Sequence, residues 1–144
     1  SPKRSKGFTH LLTVQLESVD ALKVYVKHSL HMQWARQWVF KHLDGSFKNA
    51  IDVVDFEVPA AKTVTKHVVF FKFDESEFTE RVAAAAVQDL DATLRVIPGV
   101  LEADLGKVGI CLCYCQLILL PRIKYAVQSG SRFGLCFEIV TRSS

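Results

Sequence analysis

The sequence predicts an α+β domain with the element order β-α-β-β-α-β, and three observations lead there. Gly7-Phe8-Thr9-His10 opens one alternating run, and Lys66-His67-Val68-Val69-Phe70-Phe71-Lys72-Phe73 opens a second. Each run is followed by residues at helical spacing and then by another strand-like stretch, so the chain reads as two successive βαβ halves. A chain of 144 residues can bury one sizeable core and is too short for two ordinary domains.

In the first strand His10, Leu12, Val14 and Leu16 share one face, with Leu11, Thr13 and Gln15 on the other. Ser18 or Asp20 can cap the helix that follows, whose Ala21, Leu22, Tyr25 and Val26 recur at three- and four-residue spacing. Lys27 and His28 suit the negative end of its dipole. A second helix is predicted over residues 31–43, with Trp34 and Trp38 on one stripe and Asp44-Gly45 as the stop. Residues 50–58 read as a strand with Val54, Phe56 and Val58 on one face, and Pro59 begins a linker. In the second half His67, Val69, Phe71 and Phe73 alternate with outward Val68, Phe70 and Lys72. Ser76 is the expected cap of a helix striped by Phe78, Val82, Ala85, Ala86, Leu90 and Leu94. Pro98-Gly99 turns into a last strand, where Leu101, Ala103 and Leu105 alternate with Glu102 and Asp104.

This order is the split βαβ, ferredoxin-like arrangement, an antiparallel sheet with helices on one face. Its other face needs a cover, and outward Leu11, Val68 and Phe70 suggest self-association.

Charge is distributed unevenly. Residues 1–107 hold 14 Lys and Arg against 14 Asp and Glu, while Arg122, Lys124, Arg132 and Arg142 face only Glu138 beyond them. A neutral body argues against nucleic-acid binding, which needs clustered cations, and no Gly-Phe-Gly-Phe-like stacking strand is present. The apolar run 110–120 is eleven residues long and too short to span a bilayer, so no membrane partner is expected. All four cysteines follow Val108, leaving the body without a disulfide framework and pointing to an intracellular, cytoplasmic setting. Cys111, Cys113 and Cys115 lack the two-residue gap of zinc ribbons, and His28 and His31 lack an acidic third ligand, so no metal or cofactor is expected.

Several phrases resemble the stress-responsive A/B barrel family, of the dimeric α/β barrel type. They are Gly7-Phe8-Thr9-His10-Leu11-Leu12-Thr13-Val14, Glu17-Ser18-Val19-Asp20-Ala21-Leu22, His28-Ser29-Leu30-His31, Val53-Val54-Asp55-Phe56-Glu57-Val58, the Lys66–Phe73 run and Ile97-Pro98-Gly99-Val100. The resemblance covers roughly residues 7–107, but in permuted order. Residues 7–59 are similar to the C-terminal half of a first unit and residues 66–107 to the N-terminal half of a second. Residues 108–144 form an irregular tail, as a translated intron or a shifted reading frame would produce. A piece of a plant tandem two-domain protein is the economical reading. With both natural termini then missing or altered, plastid and peroxisome stay open beside the cytoplasm.

The family includes olivetolic acid cyclase, a polyketide cyclase, and the resemblance implies a pocket. His10, Tyr25 and His31 match its catalytic pattern, and His28, Leu12, Val14, Trp34 and His67 are expected to line the cavity. There a histidine acts as base in an intramolecular aldol condensation, with His10 the expected proton carrier, while the other histidine and the tyrosine orient the substrate. Each residue has a plainer reading: His10 as a core histidine with one hydrogen bond, Tyr25 as core with its hydroxyl at the rim, Trp34 and Trp38 as a packed stripe. Two function classes follow. One is a non-enzymatic, self-associating stress protein or small-molecule-binding module for a small apolar ligand. The other is an aldol-type cyclase.

Overall fold

The computed structural model describes residues 7–59 and 61–108 and the backbone of residues 139–140. Strands β1 (His10–Leu16), β2 (Ile51–Val58), β3 (Val64–Phe71) and β4 (Val100–Val108) form an antiparallel sheet in the order β2-β3-β1-β4, and a two-residue β5 (Ile139–Val140) extends it beyond β4. β1 pairs with β3 from His10↔Phe71 to Leu16↔Thr65, so strands from both halves of the chain share one sheet. β1 also pairs with β4, from His10↔Lys107 to Val14↔Ala103, before the register shifts near Leu16.

The helices follow their local signals with two exceptions, and β4 adds a third departure. α1 (Val19–Lys27) begins where the Ser18 hydroxyl accepts the Ala21 N–H at 3.1 Å. The helix expected over 31–43 breaks into α2 (Ser29–Trp34), a π turn at Ala35–Val39 and a 3-10 turn at Phe40–His42. A π turn widens the backbone spiral, which shifts the residues after it out of the stripe that period 3.6 predicts. The short α3 (Phe47–Ala50) precedes β2, whose Val58 pairs with Val64 of β3. α4 (Glu80–Ala92) is capped by Thr79 rather than Ser76, because Ser76 is held by the Asp74 carboxylate through both its N–H and its hydroxyl. On β4, Asp104 is buried rather than outward, since the Arg95 guanidinium reaches its carboxylate at 3.1 Å and the Ala103 carbonyl at 2.6 Å.

The main core lies between the helices and the face formed by Leu12, Val14, Leu16, Val69, Phe71, Ala103 and Leu105. Trp34 donates its indole N–H to the Ala86 carbonyl at 3.1 Å, and Trp38 donates to the Asp89 carboxylate at 2.8 Å. The two tryptophans thereby fasten the α2 region to α4. The opposite face carries a second apolar cluster that includes Phe8, Leu11, Val68 and Phe70. Leu11, Val68 and Phe70 are 1–2 % exposed. The irregular tail, with its cysteines, lies almost wholly outside the described residues. Among the described residues no helix is long and apolar enough to cross a membrane.

Candidate functional site

The site is built at one end of the β1–β3 ladder, where α1 and α2 cross the sheet. The β2–β3 register places Asp55 opposite His67, and β1–β3 pairing places His67 opposite Val14. His67 is almost fully buried, and its Nδ1 lies 2.5 Å from Asp55 Oδ1. The carboxylate can only accept, so Nδ1 carries the hydrogen and Nε2 is the nitrogen left for other contacts. The Tyr25 ring from α1 meets His67 edge-on at 5.6 Å between centroids. On its other side Tyr25 lies 4.6 Å from the His31 ring of α2. His31 Nδ1 sits 3.1 Å from the Val26 carbonyl, which again fixes the hydrogen on Nδ1 and leaves Nε2 free.

Two of these groups, His31 and Tyr25, have shifted proton affinities. Burial first, and then the neighbouring His67 and His28, hold His31 below the ordinary histidine value against the opposing pull of the Val26 carbonyl. Burial pushes the Tyr25 phenol far above its usual range, so it remains a neutral donor. Its hydroxyl is fully enclosed and has no hydrogen-bond partner, the one such side-chain atom among the described residues. A buried polar atom left unmatched calls for an explanation, because it costs about 1–3 kcal/mol.

Beside this cluster lies a cavity of about 310 Å³, lined by His31 and His67 and by Leu12, Trp34, Val69 and Phe71 among others. That volume is at the lower end for small-molecule sites. The π turn contributes Ala35 and Val39 to its wall, and exposed Phe40, Phe47 and Val53 rim the entrance. Phe40 and Phe47 pack against each other at 5.7 Å.

The structure thus brings together Tyr25, His31 and His67 and places Leu12 and Trp34 on the cavity wall. Val14 lies wholly within the core. His28 sits between α1 and α2, where its Nδ1 accepts the Leu30 N–H at 3.1 Å, so it serves as a helix cap. His10 is set apart. It pairs with Phe71 while His67 pairs with Val14, four residues along the ladder and roughly 13 Å away. His10 packs against Phe73 and Phe78 and lines a different cavity. The residue that sequence reasoning missed is Asp55, which lies on the strand face opposite Val54, Phe56 and Val58. A hairpin register in which Val58 pairs with Val64 would have found it, because the same register sets Asp55 opposite His67. Among the described residues no group of three or more His, Cys, Asp or Glu could hold a metal ion. No family model, curated protein or solved structure matches the chain.

Proposed function

We propose that the chain is a small-molecule-binding module of the stress-responsive A/B barrel type, built on a ferredoxin-like sheet. Its cavity takes a small apolar molecule bearing one acidic hydroxyl, a phenol or an enol. One observation carries this reading. Both imidazoles of an otherwise apolar cavity have Nδ1 committed to a protein acceptor, so Nε2 is the atom that each ring presents to a ligand O–H. The buried Tyr25 hydroxyl beside them needs an acceptor, which the same ligand oxygen supplies once the wall adjusts around it.

A second reading is favoured by the Asp55–His67 contact, since a carboxylate behind an imidazole fixes its tautomer and stabilises the protonated ring. That arrangement suits proton abstraction from an enolisable carbonyl, as in an aldol-type cyclase, with His67 as the base. Depressed basicity at His31 and the distance of His10 weigh against a three-residue constellation assembled around His10.

Calorimetric titration with 4-propylphenol and its methyl ether 4-propylanisole tests the first reading. The phenol is expected to bind about tenfold or more tightly than the ether, the equivalent of one buried hydrogen bond. Equal affinities would overturn it. Product from linear tetraketide thioesters that disappears in His67→Ala would establish the second reading in its place.

A further inference from the structure

We infer that the cavity around His10 is a second, separate small-molecule site, which takes a neutral carbonyl compound whose oxygen accepts a hydrogen bond from His10 Nε2–H. This cavity, about 610 Å³, lies between α4 and the end of β4 and shares no lining residue with the cavity around His31 and His67. Ala83, Ala84 and Val87 give it a shallow apolar wall on the helix, and Phe78 lies against the His10 ring at 5.0 Å. Small side chains along one wall and an aromatic ring opposite suit a flat body.

The tautomer of His10 follows from the bonds around Thr9. The Thr9 hydroxyl oxygen accepts the Phe73 N–H at 3.1 Å, and its own proton has two acceptors in range. His10 Nδ1 is at 2.8 Å, whereas the Phe71 carbonyl is at 3.4 Å and already takes the Thr9 N–H at 2.8 Å. We take the shorter contact as the donated one, so that the hydroxyl donates to Nδ1 and the ring hydrogen resides on Nε2. Nε2 has no protein partner among the described residues. It is therefore an unused donor on a ring that forms part of the cavity lining.

Charge decides the ligand class. Burial holds His10 down to about 4, with Glu75 opposing and Lys107 reinforcing, so the imidazole is neutral near pH 7 and offers no full charge to a carboxylate. The one lysine at this cavity, Lys107, is turned to Glu75 at 3.4 Å, and Glu80 adds a further negative charge to the lining. An anion is repelled here and a plain hydrocarbon leaves the donor unmatched. A neutral ketone, ester or lactone satisfies it. A neutral imidazole donating to a carbonyl acts as an electrophile rather than a base, the reverse of the role the sequence suggested for this histidine.

The test uses the full chain labelled with ¹⁵N-histidine. Long-range ¹H–¹⁵N correlations are expected to show His10 as the Nε2–H tautomer at pH 7. Titration with acetophenone is then expected to shift the His10 ring saturably while leaving His31 and His67 unmoved. α-Methylstyrene, of the same shape without the acceptor, is expected to bind about tenfold more weakly, and benzoate no better than the hydrocarbon. Ala84→Trp, at an exposed position on α4, closes the cavity without touching His10 and is expected to abolish the shift. His10→Gln, which keeps an amide donor, is expected to retain ketone binding within a few-fold, where His10→Leu loses it. An Nδ1–H tautomer, equal affinity for ketone and hydrocarbon, or a ketone response at His31 and His67 instead would each overturn the inference.

Discussion

Replacing Tyr25 by Phe removes one oxygen and separates a structural role from a functional one. In the free protein that hydroxyl is enclosed and unpartnered, so the folded state bears its desolvation with no compensating bond. Such a group costs about 1–3 kcal/mol, and a little of this is offset by the contacts the oxygen makes with its surroundings. Tyr25→Phe is therefore expected to stabilise the chain by about 1 kcal/mol, raising its melting temperature by about 3–5 °C for a domain of this size. Urea unfolding at pH 7 should show a higher midpoint with an unchanged slope. The same variant is expected to bind 4-propylphenol about tenfold more weakly, because the hydroxyl is the donor to the ligand oxygen. Gain of stability with loss of binding is the signature of a group held ready for a ligand. A Tyr25→Phe chain destabilised by 1 kcal/mol or more would refute the reasoning, for it would mean that the hydroxyl is satisfied in the free protein.

Other substitutions probe the frame around the site. Gly99 has φ of +87°, and a Cβ there would stand 2.7 Å from the Ala21 Cβ, so Gly99→Ala is expected to cost about 2 kcal/mol or more in chemical denaturation. Trp34→Phe loses the bond to the Ala86 carbonyl and leaves a void beside the cavity, with an expected cost of about 2–3 kcal/mol by the same measurement. Asp55 is half exposed, so Asp55→Asn is expected to change stability by less than about 1 kcal/mol while releasing His67 from a single tautomer, which ¹⁵N shifts of its ring would register. For His10, burial places the folded-state value near 4 against 6.5 when unfolded, so the unfolded chain takes up the proton first as pH falls. Stability from this residue is complete above pH 6.5 and declines toward pH 4 by up to about 3 kcal/mol, and His10→Phe is expected to flatten the urea-midpoint profile over that window.

The β1 and β3 faces were legible because alternation of period two names them directly, and the sheet uses that pattern as it stands. The resemblance named Tyr25 and His31 together, and the fold sets their rings 4.6 Å apart. The break of the second helix was not legible, since a π turn leaves residue types unchanged and only a register with α4, set by Trp34 and Trp38, shows it. Asp104 was misread because a carboxylate on an alternating strand looks outward until Arg95, nine residues earlier, is seen to fold back on it. His10 shares a strand face with Leu12 and Val14, and that shared face made one site of what the ladder separates into two. Asp55 was hidden because both faces of β2 carry apolar residues, so hydrophobicity does not say which face meets the helices.

Ring resonances of the five histidines during titration with 4-propylphenol report most directly on the cavity beside Tyr25. His31 and His67 are expected to shift together along one saturable curve while His10, His28 and His42 stay in place, and Val53→Trp, at the half-exposed entrance, is expected to abolish both shifts. A phenol that leaves His31 and His67 unmoved, or that moves them equally in Val53→Trp, would contradict a ligand site between these two imidazoles.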